Sequence, residues 1–272
     1  MISPFSNRNP TVIFNAVHVS YLYIMPKDII TELRTALYGR SSVFVGSLET
    51  PTERIVYHIM YETLHAGQTV IWICLRDTPN RIFDKFSSYE LPVTGSKKGL
   101  WFVDATITGD KNILPQTTRC APMDYASIIM EAGKLMKELP GSIVMLDNLG
   151  ILASLFRADV IVRPLKYLDT KIRAEGGGFV TMLANKVVPG SVESELLELI
   201  DIIIHVGEDK IHALVGSKEL SIPFSFRGHE LILGTIDMDG YLEELFSITP
   251  EEKKKLELEV EEKAHLYGEP AE

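Results

Sequence analysis

The chain is poor in cysteine, in glutamine and in positive charge. Its two cysteines, Cys74 and Cys120, exclude a disulfide framework and lack the spacing of a zinc site. Cys74 lies in an apolar run and reads as a small buried hydrophobe. Lysine and arginine number 27 against 37 aspartates and glutamates, a net charge of −10 that argues against a broad nucleic-acid footprint. Glutamine occurs twice while glutamate and lysine abound, a balance that leans towards a thermophilic source. Residues 11–25 are apolar but broken by Asn15, His18 and Ser20. They are too short to span a bilayer and have neither a basic start nor a small-residue cleavage site. The expectation is a cytoplasmic protein without a membrane segment. Residues 1–25 read as an extension: either an added edge strand or extra sequence ahead of a start at Met25.

What is present is ordinary globular material, 272 residues with 46% hydrophobic and 24% charged, enough for one large α/β domain over 26–247. A helical tail over 248–272 opens with Thr249-Pro250-Glu251-Glu252 and carries a thin apolar stripe, so it either lies solvated on the domain or binds a partner.

The chain is organised around 41–75. An apolar strand is predicted over 42–45, a turn at Gly46, a helix over 51–66 and a second apolar strand over 69–75. A phosphate-binding loop would stand after the first strand. Laid on G-x-x-x-x-G-K-[ST], the residues run from Gly46 through Ser47, Leu48, Glu49 and Thr50 to Pro51, Thr52 and Glu53. Proline replaces the second glycine and removes an amide. Thr52 stands in place of the lysine, and Glu53 in place of the hydroxyl that would hold magnesium. Glu49 and Glu53 add negative charge where phosphate would sit. The same residues read as a capping box, with Thr50 at the N-cap, Pro51 opening the helix and Glu53 reaching back.

Further strands are predicted at 100–103, 142–146, 179–183 and 201–206, alternating with helices at 80–88, 123–139, 159–175 and 192–199. The alternation implies a mostly parallel sheet with helices on both faces. Strand-like segments at 210–215, 221–226 and 230–235 add antiparallel hairpins. Residues 26–38 carry an amphipathic helical pattern, 105–122 form a long polar connection, and 149–156 form a loop or short helix with several apolar groups.

Over 41–206 the order of features resembles the KaiC and RadA branch of the RecA-like ATPases. Tyr61-Glu62-Thr63-Leu64, then Gly67 and a strand, is similar to the end of that family's first helix and the strand after it. Arg76-Asp77 stands where the family has a catalytic acidic pair, and Asp147, closing Ile143–Leu146, where it has a magnesium-associated acid. Residues 179–185, ending in Asn185, resemble its sensor region, and 201–206 a strand with a leading aspartate. The resemblance implies a RecA-like fold and association with like subunits, either as a homo-oligomer or with a RecA-like paralogue. The departures at Gly46–Glu53 and Arg76 imply that ATPase activity is lost, with no catalytic residue, cofactor or metal retained. Asp77 and Asp147 are then vestigial.

Each site residue has two readings. Asp147 either ligates magnesium or accepts hydrogen bonds from loop amides. Asp77 either orients water as a base or pairs with Arg76 at a helix start. His205 and His212 are either the beginning of a metal site or two partly exposed strand residues. Lys171 and Arg173 either complement a helix dipole or reach a neighbouring subunit. The resulting expectation is a non-catalytic structural or regulatory subunit. The alternative is a weak ATPase with an unorthodox loop, in which Arg54 or Lys186 reaches the phosphates, linked to nucleic acid or signalling.

Overall fold

The computed structural model of the chain describes residues 37–47, 49–93, 99–108, 113–122, 124–155, 158–185, 190–215, 218–228 and 230–234. Everything expected for 1–36 and 235–272, including both domain boundaries and the tail, lies outside the described residues, as does Lys186.

In chain order the elements are β1 (Ser41–Gly46), α1 (Thr52–His65), β2 (Val70–Cys74), α2 (Pro79–Ser88), β3 (Leu100–Asp104), β4 (Thr117–Arg119), α3 (Tyr125–Glu138), β5 (Ile143–Leu146), α4 (Leu149–Leu155), α5 (Ala158–Ala174), β6 (Gly178–Ala184), α6 (Gly190–Leu197), β7 (Ile202–Val206), β8 (Lys210–Val215), β9 (Lys218–Arg227) and β10 (Glu230–Leu233). They form one ten-stranded sheet in the order β10-β9-β8-β7-β1-β6-β5-β2-β3-β4. From β7 to β4 every pairing is parallel. The three strands after β7 add antiparallel.

Parallel strands covered on both faces are apolar throughout, and β1, β2 and β5 are buried at every position. Alternate side chains serve opposite faces. Val43, Val45, Ile71, Ile73, Val144 and Leu146 pack with Ile128 and Ala132 of α3, Ile161 and Leu168 of α5 and Leu196 of α6. On the other face the Trp72 ring meets Tyr57 of α1 at 5.0 Å and Phe86 of α2 at 5.9 Å. Phe102 meets Phe83 of α2 at 5.6 Å.

The chain therefore winds outward over one face through α1 and α2, then returns over the other through α3, α5 and α6. Two neighbouring pairs, β2 with β5 and β1 with β6, send their connections to opposite faces. Such reversals open a crevice beyond the carboxyl ends of the strands.

The connection 105–122 contains β4, whose Thr117–Arg119 pairs with Phe102–Asp104 of β3; three polar residues carry too little apolar signal to read as a strand. The segment 149–156, expected as a loop or short helix, is helical over Leu149–Leu155, and its Leu149, Leu152 and Ala153 are buried in the core. Helix α3 starts at Tyr125, where the Asp124 carboxylate accepts from the Ser127 amide at 3.2 Å.

The three glycines after α5 do different work. Gly176 takes a φ of +73° and ends the helix. A Cβ on Gly178 would overlap the Leu37 carbonyl, and one on Gly177 the Ser142 carbonyl, so the chain passes close to neighbouring backbone there. Gly133, inside α3, has nothing within 4 Å of its would-be Cβ. Gly178→Ala is expected to lower stability by about 1–3 kcal/mol through backbone displacement. Gly133→Ala is expected to raise it by up to about 1 kcal/mol through helix propensity. Urea unfolding of the two variants beside the parent chain checks both signs.

Candidate functional site

Gly46, Asp77 and Asp147 follow or end β1, β2 and β5, so the parallel sheet brings them to its carboxyl edge, where both crevices open. Beside each crevice, described side chains of the chain bond to one another and to nearby backbone.

Beyond β1, Gly46 is buried, and its carbonyl accepts from the Asn185 amide at 2.8 Å, tying it to the end of β6. A Cβ at Gly46 would overlap the hydroxyls of Thr50 and Thr52. Those hydroxyls are 2.9 Å apart, and that of Thr50 also donates to the Ser47 carbonyl at 3.0 Å. The glycine thus allows the close approach of two threonines. Glu49 is exposed, its amide bonded to the Ser47 hydroxyl at 3.2 Å.

The capping box does not form. Helix α1 starts at Thr52 with Pro51 at the cap position and no side-chain cap; the Pro51 carbonyl accepts from Ile55 at 3.0 Å. Glu53 instead turns outward to the next helix. Its Oε1 accepts from Arg76 Nη2 at 2.6 Å and from Lys85 Nζ, and its Oε2 from the Tyr89 hydroxyl at 3.4 Å. Two cations hold the carboxylate more strongly than one neutral amide would.

Asp77 is 3% exposed and shares the same cations. Its Oδ2 accepts from Arg76 Nε at 2.8 Å and Lys85 Nζ at 2.7 Å, and Arg81 lies 3.6 Å from its Oδ1. Burial alone would push its carboxyl up; the Lys85 and Arg76 hydrogen bonds and charges outweigh this and hold it below the usual range. Thr78 caps α2, with Pro79 at its first position. The Arg76 pairing and the helix start are therefore both real.

Beyond β2 and β5, Asp147 accepts hydrogen bonds from loop amides, as one of its two readings expects. Its Oδ2 accepts from the amides of Leu75 at 2.9 Å, Arg76 at 2.8 Å and Asp77 at 3.2 Å. Its Oδ1 is buried with no hydrogen-bond partner among the described residues. Burial raises its pKa to about 6 against the pull of those three amides. The Arg76 charge opposes the rise more weakly.

The other expected residues are spoken for as well. Arg54 donates to the Gly228 carbonyl in the β9–β10 turn and stacks 3.9 Å over Phe226, away from the Gly46 turn. Arg173 donates to Asp169 at 2.8 Å, to the Ser41 hydroxyl at 3.0 Å and to Asp201, which also accepts from the Ser41 amide at 2.7 Å. It binds the amino ends of β1 and β7 within the chain. Lys171 lies 5.5 Å over the Tyr167 ring. His205 and His212 are register partners across β7 and β8. No group of three or more His, Cys, Asp or Glu is placed to hold a metal among the described residues.

Sequence reasoning passed over Lys85, Arg81 and Tyr89. Asp77, Arg81 and Lys85 recur every four residues, the spacing of one helix face, and that was the available signal. The chain matches no family model and no curated protein. No helix among the described residues is long and apolar enough to cross a membrane.

Gly46→Ala is expected to cost about 1–3 kcal/mol by crowding the threonine hydroxyls. Thr52→Ala in the same chain recovers part of that cost, which a double-mutant unfolding cycle reads as coupling. Asp147, its folded pKa above the unfolded value near 3.9, binds more protons folded than unfolded between about pH 4 and 6. Its contribution to stability therefore falls as pH rises through that window. Asp147→Asn, a neutral isostere that keeps the accepting oxygen, should gain on the parent chain by on the order of 2 kcal/mol from pH 4 to pH 7. Urea midpoints across that range measure the difference.

Proposed function

We propose that this chain is a non-catalytic member of the RecA-like class, nearest in pattern to its KaiC and RadA branch, and that it works as a structural or regulatory subunit through association with copies of itself or with a RecA-like paralogue. The observation that carries the reading is that the described polar groups at the carboxyl edge of the sheet are engaged with one another. Thr50 and Thr52 close over Gly46, and Asp147 takes up three amides of the β2–α2 turn. A nucleotide phosphate at this edge needs free backbone amides and a cation. The amides of Leu75, Arg76 and Asp77 already serve Asp147, and the nearby cations Arg76 and Lys85 already serve Glu53 and Asp77. The ATPase alternative needs a cation from elsewhere, and Arg54 is committed to the β9–β10 turn. The net charge of −10 disfavours a role on nucleic acid.

Titration calorimetry with ATP and magnesium is expected to give no binding heat, and native mass spectrometry a particle heavier than the 30.5 kDa chain. Magnesium-dependent ATP binding at micromolar concentration overturns the non-catalytic reading. A single-chain mass at all concentrations removes the homo-oligomer and leaves the paralogue as the partner.

A further inference from the structure

The Glu53 carboxylate is held by groups from another part of the chain. Arg76 comes from the turn after β2, Lys85 from α2, and Tyr89 stands just past the end of α2, while Glu53 belongs to the first turn of α1. The two cations converge on one oxygen, Oε1, and the phenol points at the other. The phenol's pKa is pushed up to about 12 by burial and then by the Glu53 charge. The site is not sealed: the side chains of Glu53, Arg76 and Lys85 are 31%, 40% and 22% exposed. Two cations, a hydroxyl and partial solvent access are the elements of a site for a small oxyanion.

We infer that Glu53 is a tethered ligand, occupying a latent site of Arg76, Lys85 and Tyr89 that would otherwise take a free oxyanion of the phosphate class. This deepens the reading of an edge whose polar groups are engaged with one another. The tether gives the carboxylate a high effective concentration, so free phosphate competes poorly with it. Removing Glu53 leaves Arg76, Lys85 and, farther out, Arg81 beside the carboxylate of Asp77, with Asp147 also near Arg76, and takes away the acceptor that Arg76 and Lys85 share on the open side.

The test is thermal unfolding and calorimetry of Glu53→Ala and Glu53→Gln with inorganic phosphate, against chloride at matched ionic strength. At about 10 mM phosphate the parent chain is expected to show no phosphate-dependent shift. Glu53→Ala should bind phosphate at least about tenfold more tightly than the parent, and Glu53→Gln, which keeps the bulk, by less. Adding Arg76→Ala to Glu53→Ala should abolish the gain. If Glu53→Ala does not fold alone, Glu53→Gln carries the same comparison. A folded variant with no gain, a gain that survives Arg76→Ala, or a parent chain that binds phosphate as tightly as the variants overturns the inference. None of these results depends on the oligomeric state or on ATP binding by the parent chain, so the two readings fail separately.

Discussion

One carboxylate oxygen, Oδ2 of Asp147, accepts three consecutive amides of the turn between β2 and α2. That turn borders the crevice where the connections of β2 and β5 leave to opposite faces, and its amides lie beyond the end of β2. Were they left bare in a buried place, each would cost on the order of 1–3 kcal/mol. Asp147 satisfies them, at the expense of its own hydration, and in doing so fixes where Arg76 and Asp77 stand. The network at the carboxyl edge is built outward from that position: Asp77 meets Arg76 and Lys85, and both cations meet Glu53.

The resulting network joins the start of α1 to α2, while Arg54, the next residue along α1, joins it to the β9–β10 turn. The first turn of α1 is thus tied on two sides, by a carboxylate in one direction and a guanidinium in the other. At the opposite edge Arg173 and Asp201 bind the amino ends of β1 and β7, so the central strand is anchored at both ends.

Much of the fold was legible in the sequence. The apolar runs at 42–45, 69–75, 142–146 and 179–183 are strands because parallel strands buried on both faces leave no room for polar alternation. The hairpin at 210–215 was marked by the turn residues before it. What escaped was β4, held by backbone pairing to β3 with almost no apolar surface of its own. The capping box also misled. Thr50-Pro51-Thr52-Glu53 has the right local spacing, but a cap satisfies one neutral amide, and two cations 23 and 32 residues away offered Glu53 a stronger partner.

By itself the sequence determined the class of sheet, the order of most of its elements and the departure of the Gly46–Glu53 loop from the phosphate-loop pattern. Those properties depend on residue type and spacing along the chain, which hydrophobic periodicity and amide counting can read. Only the tertiary structure decided which partners Glu53 and Asp147 take at the carboxyl edge. Lys85, Tyr89 and the Leu75–Asp77 amides reach Glu53 and Asp147 across gaps of 32, 36 and 70 to 72 residues, a proximity created by sheet topology alone.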